Sequence, residues 1–291
     1  MPKNLYKIAI ASGKGGVGKS MLTSVFSVFF SKTKKIVAVD CDADAPNLHI
    51  WLNEVNGWEK EIPVSTSFKP KIDTNKCDGC GICVEKCKFG ALKMKNGKAE
   101  VDNLLCEGCG ACEILCPRKA IKMYPVQNGE IKIKKTKWGF PLVSSHLYPG
   151  ETGSGKVVSE AKKEAEKINS EIMIIDSAPG TGCPVTASLK DVNFNVLITE
   201  PTLSGFADLK RVLEVVNYFG SDWGLIINKW DINTEITEKI KKFSKDKFLG
   251  KISYDKKIFE SVSKLIPISE TNLKAKEEIK EIFNKVYGKT S

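Results

Sequence analysis

Eight of the chain's ten cysteines fall between Cys77 and Cys116, in two copies of the spacing C-x2-C-x2-C-x3-C. The first copy reads CDGCGICVEKCKFGALKM from Cys77 and the second CEGCGACEILCPRKAIKM from Cys106, so the segment is an internal duplication. The N-terminus runs from a short apolar stretch straight into glycines, with no h-region and no cleavage site, which implies a cytoplasmic chain. Cytosolic thiols are kept reduced, so a disulfide framework is excluded and metal binding becomes the leading explanation. Two four-cysteine zinc sites are one form it could take, although zinc modules seldom use a triple C-x2-C-x2-C run. The chain has only 2 histidines, His49 and His146, too few for a further His-based centre.

The segments around the cysteines have a different character. Leu5 to Ala11 is an apolar run, Leu22, Val25, Phe26 and Phe29 recur at helical spacing, and Lys35 to Asp40 is a second apolar run ending in acid. Strand candidates resume at 172–176, 195–200, 223–228 and 248–252, separated by helix-length segments. That alternation predicts an α/β domain with a mostly parallel sheet covered by helices. Neither flank supplies a full sheet, so the expected organisation is a discontinuous domain, 1–59 and 141–291, with 60–140 inserted. The insertion is expected to end near a hairpin turn at Asn128-Gly129. The run from Lys132 to Lys137 alternates with isoleucine and reads as an exposed strand.

Composition narrows the function classes. Charged residues make up 27% and mean hydropathy is −0.18, which excludes a disordered chain and a membrane bundle. The longest mostly apolar run, Met21 to Phe30, is too short to span a bilayer. The net charge of +10 is carried by lysine, Arg118 and Arg211 being the only arginines, which argues against sequence-specific nucleic-acid reading.

Gly13-Lys14-Gly15-Gly16-Val17-Gly18-Lys19-Ser20 satisfies G-x4-G-K-(S/T) between an apolar strand and an amphipathic helix. Backbone N–H groups of such a turn, with the helix N-terminus, make an anion site. Lys19 is then placed for the β and γ phosphates of ATP, or the β phosphate of ADP, and Ser20 for Mg²⁺. A similarly spaced stretch, Gly150 to Lys156, is followed by Val157 and lacks the metal-binding hydroxyl, so it reads as a glycine loop before a helix.

The extra lysine, Lys14, makes this loop resemble the deviant Walker A of the MinD/ParA/Mrp/nitrogenase-iron-protein class. That resemblance implies that Lys14 reaches across a dimer to the partner's nucleotide, as an arginine finger does. Asp40-Cys41-Asp42 with Pro46-Asn47-Leu48 resembles the class's first switch, in which Asp42 orients the attacking water and Asp40 helps hold the Mg²⁺ shell. Ile174-Ile175-Asp176 with Pro179-Gly180 resembles its Walker B strand and second switch, with Asp176 on Mg²⁺ through water. Asn228 matches an asparagine that bonds adenine. Where the class often has Pro-Tyr, this chain has Ser253-Tyr254.

The cysteine runs resemble a bacterial two-cluster 4Fe-4S ferredoxin, an α+β fold, although only Cys116 is followed by proline. The resemblance assigns Cys77, Cys80, Cys83 and Cys116 to one cluster and Cys106, Cys109, Cys112 and Cys87 to the other, and the two would lower the net charge to about +6. The whole chain is thus similar to MinD/Mrp-type ATPases with an inserted ferredoxin domain. This implies a homodimer, or a heterodimer with a paralogue, and a redox or cofactor-assembly partner protein, with no role for nucleic acid or membrane.

Three tasks fit. They are iron-sulfur or metallocofactor handling, ATP-driven electron delivery, and a redox-sensing positioning switch of the ParA/MinD kind. No C-x2-C pair follows Cys183, as a simple Mrp-type carrier would have. Cys41 is expected to be a buried small residue, Cys183 a thiol in the second switch, and the two histidines structural or surface groups. Leu273, Ile279, Ile282, Phe283 and Val286 form a stripe expected to pack on the sheet rather than on a membrane.

Overall fold

The computed structural model describes residues 5–290, so the first four residues and Ser291 of the expected larger domain lie outside it. The chain divides into two compact units: 1–61, 131–146 and 154–291 form the larger, and 62–130 with 147–153 the smaller. These bounds depart from 60–140. The lysine-rich stretch 131–135 is strand paired in the large sheet, and 147–153 belongs to the smaller unit.

The sheet has nine strands. From one edge the order is Phe248–Ile252, Asp222–Asn228, Phe194–Thr199, Tyr6–Ser12, Ile172–Pro179, Ile36–Cys41, Pro141–Leu147, Gly129–Lys135 and Lys60–Val64. The first seven run parallel. Strands buried on both faces read as continuous apolar runs, which is why Ile36–Cys41 and Phe194–Thr199 are buried at every position.

The helix Lys19–Ser31 follows the first strand and is buried almost all round. Its interior hydroxyls are satisfied within the helix, Thr23 Oγ1 donating to the Lys19 carbonyl at 2.9 Å and Ser27 Oγ to the Thr23 carbonyl at 2.8 Å. The stripe on Lys274–Tyr287 packs on this helix and the sheet. Phe283 stands edge-on to Phe26, Phe29 and Phe30 at centroid distances of 5.7, 5.4 and 4.7 Å.

In the smaller unit, Ser67–Ile72 pairs antiparallel with Ile121–Val126, and Leu92–Lys95 with Lys98–Val101. Short helices Ile82–Lys86 and Ala111–Leu115 each carry the third cysteine of a run. The core is small: Cys83, Leu92, Ala99 and Ile121, with Cys77, Cys87, Cys112 and Cys116 packed against it.

Two expectations are corrected. Asn128-Gly129 is not a hairpin turn, because the strand before it pairs with Ser67–Ile72 and the strand after it belongs to the nine-stranded sheet. Asn128 is instead fully buried, its Oδ1 accepting from Thr66 N–H at 2.8 Å and its Nδ2 donating to the Thr152 carbonyl at 2.7 Å. Within 132–137, Lys134 is buried, donating to the Glu54 and Asn56 carbonyls at 3.1 and 2.5 Å and paired with the Glu54 carboxylate.

Truncating Phe283 removes the ring that three phenylalanines share. Phe283→Ala is expected to cost about 3–5 kcal/mol, read as a lowered denaturant midpoint for the larger unit.

Candidate functional site

The loop 13–20 owes its shape to two close approaches. An ideal Cβ on Gly13 would stand 2.0 Å from the Asp208 carbonyl oxygen, on the helix Leu203–Tyr218, so only glycine fits. Gly18, at φ 100°, caps the helix Lys19–Ser31, and a Cβ there would meet Asn228 Nδ2 at 2.7 Å. Asn228 Nδ2 donates to the Val17 carbonyl at 2.8 Å, and its Oδ1 accepts from Lys229 N–H at 2.9 Å. The residue expected at the base thus has a prior task, bracing the phosphate loop from a strand end two strands away.

Lys19 is only 7% exposed and faces Asp176, Asp42 and Asp40. Burial lowers its pKa, and the three carboxylates oppose that shift. Asp40 and Asp176 lie opposite each other on adjacent parallel strands. Asp176 accepts from Thr23 Oγ1 at 3.1 Å, and burial pushes it up to about 6, against the pull of Lys19, Ser20 and Thr23. Asp40 is raised by burial and by Asp176. It spends its oxygens on backbone donors, Oδ1 accepting from Asp42 N–H and Oδ2 from Asn47 and Leu48 N–H, both at 2.9 Å. Asp40 therefore pins the first-switch segment, while Asp42, half-buried and raised by burial, lines the cleft.

Two buried carboxylates in register beside one buried ammonium leave excess negative charge. Such an imbalance suits a divalent cation, and among the described residues no group of three or more His, Cys, Asp or Glu side chains closes around one ion position here. Gly15, Gly16, Gly18, Lys19 and Ser20 open into a cleft of about 690 Å³. Its far wall was not legible in the sequence: Ile50 and Trp51 beyond the first switch, and Tyr254, Phe259 and Val262 from the C-terminal segment. Ser253 explains the departure from Pro-Tyr. Its N–H and hydroxyl both donate to Glu278, at 2.8 and 2.6 Å, and proline has neither donor. Lys14 is exposed, with no ion pair among the described residues.

The smaller unit brings the cysteines into two recesses. One is lined by Cys77, Cys80, Cys83 and Cys116, the other by Cys106, Cys109, Cys112 and Cys87, with Cys83 between them. In each, three thiols of one run meet the fourth of the other. Among the described residues no group of three or more His, Cys, Asp or Glu side chains closes around one ion position. A zinc site needs four sulfurs at about 2.3 Å from one point. The thiolates of a 4Fe-4S cluster bind four different irons, and four cysteines at each recess are the donor number that one such cluster takes. Cys41 is fully buried and its thiol is pushed up by burial, while Cys183 is exposed at the start of Cys183–Leu189. His49 and His146 flank Trp58 at centroid distances of 5.7 and 5.8 Å.

A glycine loop between strand and helix, a buried lysine, and acids at the ends of two neighbouring parallel strands define a P-loop nucleotide-binding protein. Residues 8–268 match the CobQ/CobB/MinD/ParA nucleotide binding domain, and the chain belongs to this family of P-loop ATPases. It is similar to an uncharacterized protein of Methanocaldococcus jannaschii, 36% identical over 282 residues that cover 97% of this chain and 96% of the relative. It is also similar to an iron-sulfur cluster carrier protein of that organism, 24% identical over 306 residues, 99% of this chain and 86% of the relative. Among solved structures, the septum site-determining protein MinD of Pyrococcus horikoshii, complexed with Mg-ADP, has the same fold, with a TM-score of 0.62, 18% identity and 99% of each chain covered. Among the described residues no helix is long and apolar enough to cross a membrane.

Gly13→Ala is expected to displace the loop from Asp208 and abolish nucleotide binding while the fold persists, checked by ADP calorimetry beside circular dichroism. Asp176, raised from an ordinary 3.8 to about 6, contributes stability that is present below 3.8 and lost as pH rises through about 6. Asp176→Asn removes that loss. The denaturant midpoint of the nucleotide-free variant should therefore gain on the wild type between about pH 4 and pH 7.

Proposed function

We propose that this ATPase works as a Mg²⁺-dependent cytoplasmic dimer, of like chains or with a paralogue, whose smaller unit is ferredoxin-like and holds two 4Fe-4S clusters. The observation that carries the reading is the crossed grouping of the cysteines: Cys77, Cys80, Cys83 and Cys116 for one cluster, Cys106, Cys109, Cys112 and Cys87 for the other. When bound, such clusters supply one-electron chemistry. Lys19 and the backbone N–H groups of 13–20 hold the β and γ phosphates, and Ser20 and Asp176 hold Mg²⁺. Asp42 orients the attacking water, and Lys14, exposed and without an ion pair among the described residues, reaches the partner's nucleotide. Loss of the γ-phosphate then relaxes the segment from Asp42 to Leu48 that Asp40 pins, and the nucleotide state is passed on to the smaller unit.

Iron-sulfur or metallocofactor handling is the task this reading favours, supported by the likeness to an iron-sulfur cluster carrier protein. ATP-driven electron delivery to a partner protein is the second reading. It is favoured by one observation, that each recess draws all four thiols from one chain, so no ligand need be shared between subunits.

Anaerobically prepared protein is expected to carry about eight irons per chain, the number two 4Fe-4S clusters need. About two zincs per chain with almost no iron would overturn the cluster assignment. Redox titration with and without MgATP separates the tasks, because potentials that fall on binding ATP favour electron delivery and unmoved potentials favour handling. Lys19→Ala should lose ATP hydrolysis and nucleotide affinity together. Lys14→Ala should keep ADP affinity and lose hydrolysis at least about tenfold, as loss of a trans-acting cation does.

A further inference from the structure

The internal duplication supplies its own control for what the smaller unit's fold requires. Matching Cys77 to Cys106 aligns the repeats residue for residue, and their backbones agree. Asp73 N–H donates to the Ala120 carbonyl and Asp102 N–H to the Ala91 carbonyl, both at 2.7 Å. Asp73 and Asp102 accept from the N–H two residues on, both at 3.0 Å. The short helices end at Cys87 with φ −72°, ψ 106° and at Cys116 with φ −74°, ψ 108°.

At four exposed positions, however, polar side chains of the first repeat become apolar in the second, while at a fifth the exposed Phe89 becomes Arg118. Asn75, Lys76, Glu85 and Lys86 of the first repeat are exposed and polar, and their counterparts are Leu104, Leu105, Ile114 and Leu115. Those four are 75%, 52%, 84% and 43% exposed. The fold accepts polar residues at all four places in the first repeat; Leu104 lies beside Gly150, in a segment the first repeat has no match for, so packing is a reason for that leucine and the comparison speaks for Leu105, Ile114 and Leu115. The charge changes with them. From Ala99 to Pro117 the chain carries Glu100 (paired with Lys95), Asp102, Glu107 and Glu113 and no lysine or arginine, whereas the aligned first-repeat segment carries Lys71, Lys76, Lys86 and Lys88 beside Asp73, Asp78 and Glu85, so the formal balance goes from +1 to −4.

We propose that the second repeat, through Leu104, Leu105, Ile114 and Leu115 within their acidic surround, is the docking surface for a partner protein that presents an apolar centre rimmed by lysine or arginine. Exposed apolar groups framed by one sign of charge are the pattern of an association surface, with the charge choosing the partner. The exposed thiol side of Cys109 lies in the same stretch, so such a partner would sit beside the recess of Cys106, Cys109, Cys112 and Cys87. The surface requires only the folded unit. It goes beyond the cluster assignment, and iron content is measured separately so that loss of clusters is not read as loss of docking.

The test gives the second repeat the first repeat's own residues, Leu104→Asn, Leu105→Lys, Ile114→Glu and Leu115→Lys, in the full-length protein as isolated. The probe is oxidised cytochrome c, a basic protein with an apolar haem edge, titrated by calorimetry at about 0.1 M salt, where charges more than about 10 Å away are screened. The wild type is expected to bind, more weakly as salt rises, and the fourfold variant at least tenfold more weakly, with unchanged iron content and melting temperature. The single variant Ile114→Glu, at the most exposed position, should show part of the loss. No binding by the wild type, equal binding by the variant, or a lowered melting temperature showing the leucines to be packing residues would each overturn the proposal.

Discussion

The Lys19 ammonium and the carboxylates of Asp40, Asp42 and Asp176 are gathered in one place and largely withdrawn from water, and the rest of the larger unit is arranged to make this tolerable. Each charge by itself would be expensive to bury. Together they are held by hydrogen bonds that the sheet makes inevitable. Parallel pairing sets Asp40 opposite Asp176, and the helix that starts at Gly18 brings Lys19 and Thr23 over them. The imbalance that remains is what makes the site want a metal-bound nucleotide. The backbone N–H groups that donate to Asp40 tie the segment from Asp42 to Leu48 to this place.

The smaller unit solves a different problem. Its core is a handful of apolar side chains among cysteines, far less than a domain of its size needs to bury. The fold compensates with symmetry. Each repeat closes against the other through matched backbone bonds, and the fourth cysteine of each run crosses to its partner's recess.

Much of this was legible in the residues because it is local. The glycine loop and the strands that begin at Tyr6, Ile36 and Ile172 follow from short-range spacing and period, while the crossed cysteine sets were implied by the resemblance to a two-cluster ferredoxin. The misreadings share a cause. Asn128-Gly129 has the composition of a hairpin turn, yet the two strands it joins pair elsewhere, and no local signal carries that choice. Lys134 sits in a run that looks solvated and is buried because Glu54 and Asn56 carbonyls, far away in sequence, await its ammonium. Asn228 was legible as a strand-end residue at the cleft, but its bond to the Val17 carbonyl depends on how two distant strands are ordered.

By itself the sequence determined the phosphate loop, the acids that follow two apolar strands and the duplicated thiolate pattern, because backbone conformation and ligand chemistry act over a few residues. Only the tertiary structure decided which carboxylate binds backbone and which faces the cleft, that Trp51, Tyr254 and Phe259 share its wall, and that Glu278 accepts from the Ser253 N–H and hydroxyl. Those outcomes depend on contacts between residues tens to hundreds of positions apart. Burial and charge settle such contacts only after the sheet has brought the strand ends together.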